Sequence, residues 1–400
     1  MELGKLLGCG AYSNVRAMKR KGMKQKAMKR KGSLLLGAII DEDDTGNVHE
    51  PCHSSVSSLS LPVVSSTIPP KLHIATKRSK SSDFSTHVGF FYELALPSTT
   101  IATDEESDDS VKYAVKSLRN DLDGETKISG AIDLTIEAQF LLKLSHPNIV
   151  KLYGQGGSPG SEDFFIVVAR VQGTLSDTIQ LFRRLTERLK LNGISQNGNR
   201  LSRKEKKAEL HSYYGRSLCI GRQLASALHY LHENSILFRD LKPQNIGLDG
   251  KSRVKIFDFG LAKELKSESR QGVDQYRGRK DVGTRRYMAP EIYNGSHYGL
   301  PADVYSFAIV IWQLFSLTVP FKGHSIDKHV HRTYVRKIRP PIKFKWPRKL
   351  KRMLSKGWHH NPSCRPKMNE CLSVMEELSR KDGYTEETFF EESRSSFNSY

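Results

Sequence analysis

The chain has 400 residues, 38% of them hydrophobic, and a formal net charge of +20. That length supports a two-lobed enzyme or two ordinary domains with a sizeable core. The positive excess favours acidic partners, whether nucleic acid, anionic membrane or acidic protein. Cysteines at 9, 52, 219, 364 and 371 form no CxxC pair and no framework spacing, which fits a reducing compartment. No secretory core opens the chain, and the apolar runs at 34–40 and 307–317 are too short to span a bilayer. An intracellular protein, cytoplasmic or nuclear, is the expectation.

Residues 2–15, ELGKLLGCGAYSNV, read as strand, glycine turn and strand. Gly8 and Gly10 carry no Cβ, so the backbone there can approach a phosphate closely. Leu7 and Val15 flank the turn and could roof an adenine; an ordinary hairpin with glycines at its turn is the alternative. From 16 to 110 the pattern breaks. The block AMKRKG occurs at 17–22 and again at 27–32, a Ser-rich tract follows, and an acidic run at 104–109 closes the segment. Low hydrophobicity and blocks of like charge mark a disordered insert. Its basic repeat suits an import receptor, a nucleic acid or an acidic protein, or is simply a solvated linker.

Order returns at Val111 with VKYAVKSL, whose alternation puts Ala114 and Lys116 on one face of a strand. A helix follows over 133–144, with Glu137 one turn before Leu141. Strands come next at 146–154 and 164–171, the second apolar enough to be buried. Residues 182–208 are polar and basic and read as a second insert between two helices. A helical pattern over 209–233 then delivers the chain to FRDLKPQNIGLDGKSRVKIFDFG at 238–260. Further on, 301–315 is a mostly apolar helix that a core must cover, and 378–400 is an acidic, Ser-rich tail. The histidines at 324, 329, 331, 359 and 360 lack zinc spacing with cysteine and are assigned to the surface.

The stretch at 238–260 concentrates the chemistry. The Asp240 carboxylate could accept a proton from a hydroxyl, and Lys242 could neutralise a transferring phosphoryl group. Asn245 and Asp258 offer the hard oxygen ligands that Mg²⁺ prefers. They are joined by a hairpin, with LDG at 248–250 as the turn and VKIF at 254–257 as the returning strand.

These pieces, in this order, resemble the eukaryotic protein kinases. LKPQN after Asp240 resembles the Ser/Thr kinases, while VGTRRYMAPE at 282–291 and DVYSFA at 303–308 resemble the tyrosine-kinase-like group. The resemblance covers 2–15 and 111–377. It implies an α+β bilobal fold: a small antiparallel β lobe with one helix, from 1–15 and 111–171, and a larger, mainly α lobe from 172–377. It also implies Mg²⁺ and ATP as cofactors and Ser/Thr hydroxyls of proteins as acceptors, in signalling. Lys116 matches the lysine that holds the nucleotide phosphates, and Glu137 matches its ion-pair partner. Asp240 matches the catalytic base, Lys242 the phosphate-contacting lysine, and Asn245 and Asp258 the metal ligands. Leu7, Gly8, Gly10, Val15 and Ala114 would enclose the nucleotide, with Val168 as gatekeeper, Ala169 to Val171 as hinge and Gly247 as floor.

The same resemblance pairs Glu291 with Arg365, anchors the catalytic loop through Asp303, and stacks Leu141, Leu152, Phe238 and Phe259 into a spine. Thr284 would bond to both Asp240 and Lys242. Arg239 and Lys263 would form a phosphate pocket, to be filled by Ser267, Ser269 or Tyr276. There are departures. Ser13 replaces a third glycine, Phe238 replaces a His, and Gly247 stands where a Leu is common, so the Phe257 ring is expected to fill the room beside it. The glycine turn lies almost at Met1, which suggests a truncated start. A pseudokinase-type scaffold with the same fold is the alternative function, although no catalytic Lys, Asp or Asn is missing.

Overall fold

The computed structural model describes residues 2–9, 14–19, 113–119, 121–193, 200–265, 276–277 and 283–383, with 2–9, 14–19 and 276–277 described by their backbone. Gly10, Ser13, Ser267, Ser269, the expected insert beyond residue 19 and residues 384–400 of the expected tail lie outside these residues, and the tail does not begin at 378, because a helix runs on through Asp382. The smaller lobe is an antiparallel sheet in the order β1-β2-β3-β5-β4. Strand β1 (Glu2–Cys9) pairs with β2 (Asn14–Lys19), with Gly8 opposite Val15. Strand β2 pairs with β3 (Tyr113–Ser117), with Val15 opposite Lys116. Strands β4 (Leu152–Gly156) and β5 (Phe165–Ala169) complete it. The insert therefore does not begin at 16: β2 runs through Lys19, and the ladder to β3 takes up Ala17 from the first basic repeat.

Helix α1 (Gly124–Lys143) starts earlier than its apolar pattern suggests, because the Asp123 side chain caps the Thr126 amide. Ala131, Leu134, Ala138 and Leu141 recur at helical spacing, are buried, and carry Glu137 inward with them.

The larger lobe begins with β6 (Gly173–Thr174), α2 (Leu175–Asn192) and α3 (Arg203–Glu233). The expected insert at 182–208 is thus helical at both ends. Its charged residues lie on one face of the first helix, while Phe182, Leu185 and Leu189 are buried on the other. Capping boxes at Thr174/Asp177 and Ser202/Glu205 start the two helices. Strand β7 (Ile236–Leu237) leads into the hairpin of β8 (Ile246–Leu248) and β9 (Val254–Ile256), which β6 joins as a third strand.

Apart from short strands at Lys263–Glu264, Tyr276–Arg277 and His297–Tyr298, the rest is mainly helical: α4 (Pro290–Tyr293), α5 (Pro301–Ser316), α6 (Ile326–Val330), α7 (Arg348–Gly357) and α8 (Met368–Asp382). Every residue of α5 from Ala302 to Ser316 is buried, so the other elements pack around it. His329 is buried too, contrary to its surface assignment; α6 turns it towards the Arg285 carbonyl, 3.3 Å away, and the Phe321 ring. Among the described residues no helix is long and apolar enough to cross a membrane.

Candidate active site

Strand β3 and helix α1 bring opposite charges together in the small lobe. The Lys116 Nζ lies 2.6 Å from Glu137 Oε2 and 2.9 Å from Asp258 Oδ1. Asp258 closes the triangle through its backbone, donating N–H to Glu137 Oε1 at 3.0 Å. Asp258 adopts a left-handed backbone (φ 71°), a costly conformation for a residue with a Cβ. Glu137 is 3% exposed, while the Asp258 carboxylate is 40% exposed. Burial alone would lower the Lys116 pKa, but Asp258 and Glu137 outweigh it, and the ammonium is held above the ordinary lysine value.

Asp133, one turn before Glu137 on α1, joins this cluster. Burial first, and then the charge of Asp258, push its carboxyl up to about 7. Sequence reasoning missed it, although the four-residue spacing from Glu137 places it on the same helical face.

The loop after β7 builds the second cluster around Asp240. Lys242 Nζ donates to Asp240 Oδ2 at 2.6 Å, and Asn245 Nδ2 donates to the same oxygen at 3.0 Å. The other oxygen, Oδ1, accepts from the Thr284 amide and the Thr284 hydroxyl, each at 2.9 Å. Thr284 therefore meets Asp240 but not Lys242, whose ammonium is drawn to the carboxylate instead. Gly283 makes this approach possible: it has φ 106°, and a Cβ there would come within 2.9 Å of the Arg239 carbonyl.

Helix α5 holds the loop from below. The fully buried Asp303 accepts from the amides of Phe238 (2.8 Å) and Arg239 (2.9 Å), and His232 Nε2 is 3.2 Å away. Arg239, expected in a phosphate pocket, is engaged otherwise: its side chain donates to the Leu261 carbonyl and, at 3.2 Å, to the Tyr298 hydroxyl.

The remaining expected positions fall around these clusters. Ala114 and Val168 are partners across β3 and β5, and Leu152 of β4 also pairs with Val168. Ala169 ends β5. Leu7 and Gly8 lie in β1 and Val15 in β2, on the edge of the sheet beyond β3. The room beside Gly247 is taken by Val171 and not by Phe257: a Cβ on Gly247 would lie 2.6 Å from Val171 Cγ1. Gln172 donating to the Leu248 carbonyl at 2.8 Å draws the hinge onto β8 and puts Val171 there.

The Phe238 and Phe259 rings meet edge to face at 5.1 Å, Leu141 is buried, and Leu152 packs against the same core. Arg365 grips Glu291 through two bonds of 2.6 and 2.8 Å.

An amide oxygen at Asn245 and a carboxylate at Asp258 are the hard donors that suit Mg²⁺. Among the described residues no three His, Cys, Asp or Glu side chains are placed to hold a metal by themselves. A cation here would share its coordination with phosphate oxygens, as Mg²⁺ commonly does.

A family model described as the protein kinase domain matches residues 99–375. A probable serine/threonine-protein kinase of Dictyostelium discoideum is 30% identical over 60% of this chain and 23% of its own length. The dual specificity protein kinase shkC of the same organism is 35% identical over 40% of this chain and 31% of its own. The serine/threonine-protein kinase STY17 of Arabidopsis thaliana is 33% identical over 42% of this chain and 28% of its own. The chain thus spans less than a third of these relatives. The matched region contains the Lys116–Glu137 pair, the Asp240 loop and Asp258, and the chain belongs to the eukaryotic protein kinase superfamily, with motifs of the tyrosine-kinase-like kind.

Proposed function

We propose that the chain is a protein serine/threonine kinase that transfers the γ-phosphoryl group of Mg-ATP to Ser and Thr hydroxyls of intracellular proteins. The observation that carries this reading is the single ammonium of Lys116 bonded at once to Glu137 and to Asp258. It joins a phosphate-binding cation to a metal-binding carboxylate, and phosphoryl transfer depends mostly on such positioning and charge neutralisation. Asn245 and Asp258 would hold Mg²⁺, which when bound neutralises charge on the phosphates. Lys116 would steady the phosphates from the β3 side. Asp240 would orient the acceptor hydroxyl and take up its proton, and Lys242 would keep positive charge beside the transferring group.

Lys242 and Thr284 favour short hydroxyl side chains, by resemblance to Ser/Thr kinases. Three relatives carry dual-specificity names, so tyrosine is the competing acceptor. The test is incorporation of labelled phosphate from Mg-ATP into generic proteins and into the chain itself, followed by phosphoamino-acid analysis. Wild type should label Ser and Thr, and Asp258→Asn should label nothing. Nucleotide binding without any incorporation would sink the reading and favour a scaffold with the same fold.

A further inference from the structure

Helices α2, α3 and α5, with residues 317–322 and Lys343, line an open cavity of about 440 Å³ that shares no wall with the residues proposed to handle phosphate. Its walls include two aromatic pairs: Phe182 with Tyr213, ring centres 5.3 Å apart, and Tyr214 edge-on to Phe315 at 5.4 Å. Lys190, Lys322 and Lys343 also line it. Its one acidic wall residue, Glu187, is already bonded to Arg183 at 3.1 Å. Neither Lys190 nor Lys322 has an ion-pair partner among the described residues. Lys343 reaches only neutral groups, the Ser316 carbonyl at 3.3 Å and the Trp346 ring. Partial burial, and then the nearby charge of Lys190, lower the Lys343 pKa, so the cavity gathers positive charge without answering it.

The end of α8 lies beside this cavity. Asp382 is 2.9 Å from His211 on α3, and Tyr214, one turn further along α3, is a cavity wall. Burial first, and then the charge of Asp382, push the Tyr214 hydroxyl up to about 12. The sequence that follows, YTEETFFEES at 384–393, sets Phe389 and Phe390 between Glu386, Glu387, Glu391 and Glu392. Six residues from Gly383 to Phe389 reach up to ~20 Å, more than the single helical turn that separates His211 from the cavity wall.

We infer that the cavity between α2, α3 and α5 is a docking site for the chain's own segment 384–393, with its two phenylalanines against the aromatic walls and its glutamates on the three lysines. Apolar anchors flanked by charges of the opposite sign are what such a mixed cavity can recognise. The inference does not depend on catalysis, and its test reads binding alone.

The probe is a fluorescent peptide of residues 384–393, titrated by anisotropy into two full-length chains: wild type, and a chain with Glu386, Glu387, Glu391 and Glu392 all replaced by Gln. The Gln chain should bind the peptide. Wild type should bind it at least about tenfold more weakly, because its own tethered segment competes at high effective concentration. Adding Lys190→Glu and Lys322→Glu to the Gln chain should abolish binding. A peptide with its four glutamates changed to lysine should restore it, which excludes simple misfolding. No binding to the Gln chain would overturn the site. Equal binding to both chains would overturn the occupant and assign the cavity to an acidic segment of another protein.

Discussion

Two arginine- or lysine-centred pairs in this molecule use the same chemistry for different ends. Arg365 and Glu291 are 0% and 7% exposed, joined by two bonds, and the remaining guanidinium donors reach the carbonyls of His359, His360 and Pro301. Every charge there is answered from within. Glu137 is buried as well and Lys116 is 12% exposed, but the third member, Asp258, has its carboxylate 40% exposed, and a third carboxyl, on Asp133, adds its charge nearby. The first arrangement is closed and braces α4 against the segment before α8. The second holds more negative than positive groups and opens on one side, which is what a site for Mg²⁺ and phosphates requires.

Breaking a working group and breaking a bracing group should therefore show up in different measurements. The largest effect is expected for Asp240→Asn: a loss of ~10³-fold in kcat, or ~4 kcal/mol, with the urea midpoint nearly unchanged. A large drop in stability would mean that Asp240 braces its loop more than it serves chemistry. Next comes Arg365→Met, which leaves Glu291 buried without its partner and should cost ~3 kcal/mol in urea unfolding, with the KM for nucleotide retained. A changed KM with unchanged stability would erase the distinction between the two pairs.

The smallest effect concerns Asp133 and carries a sign. Its folded pKa, raised to about 7, lies above the ordinary 3.8, so the native protein holds this proton more tightly than the unfolded chain does. The stabilisation is complete below the ordinary value and is lost as pH rises through about 7. Asp133→Asn should be more stable than wild type by ~2 kcal/mol near pH 8 and equal to it near pH 4. A constant difference across that range would show that the carboxyl does not titrate as its surroundings dictate.

Much of the site is legible from the chain alone because its members sit at spacings the chemistry demands. Lys116 on an alternating strand and Glu137 on a helix meet Asp258 after the short hairpin, the pairing of the first two being what the kinase resemblance implies, and Asp240 meets Asn245 just before that hairpin. What the chain alone does not reveal depends on contacts between distant segments. Val171 beside Gly247 is one such case, since neither residue announces the other. The titration of Asp133 is another, because burial is not written in a carboxylate's own neighbours. The stretch at 182–208 misleads for a different reason: Phe182, Leu185 and Leu189 are outnumbered by the charges around them, yet their spacing still defines a helical face.

Val171 belongs to the short connection between the lobes, yet it occupies the space where a larger floor residue would stand on β8. In the proposed nucleotide site, floor and hinge would be one side chain. A ring resting on such a floor would press on the connection itself, so the shape of the bound molecule and the angle between the lobes would become a single variable. Compounds that differ only in thickness at this point should therefore select different degrees of opening, and the molecule would read the thickness of its ligand as a change in posture.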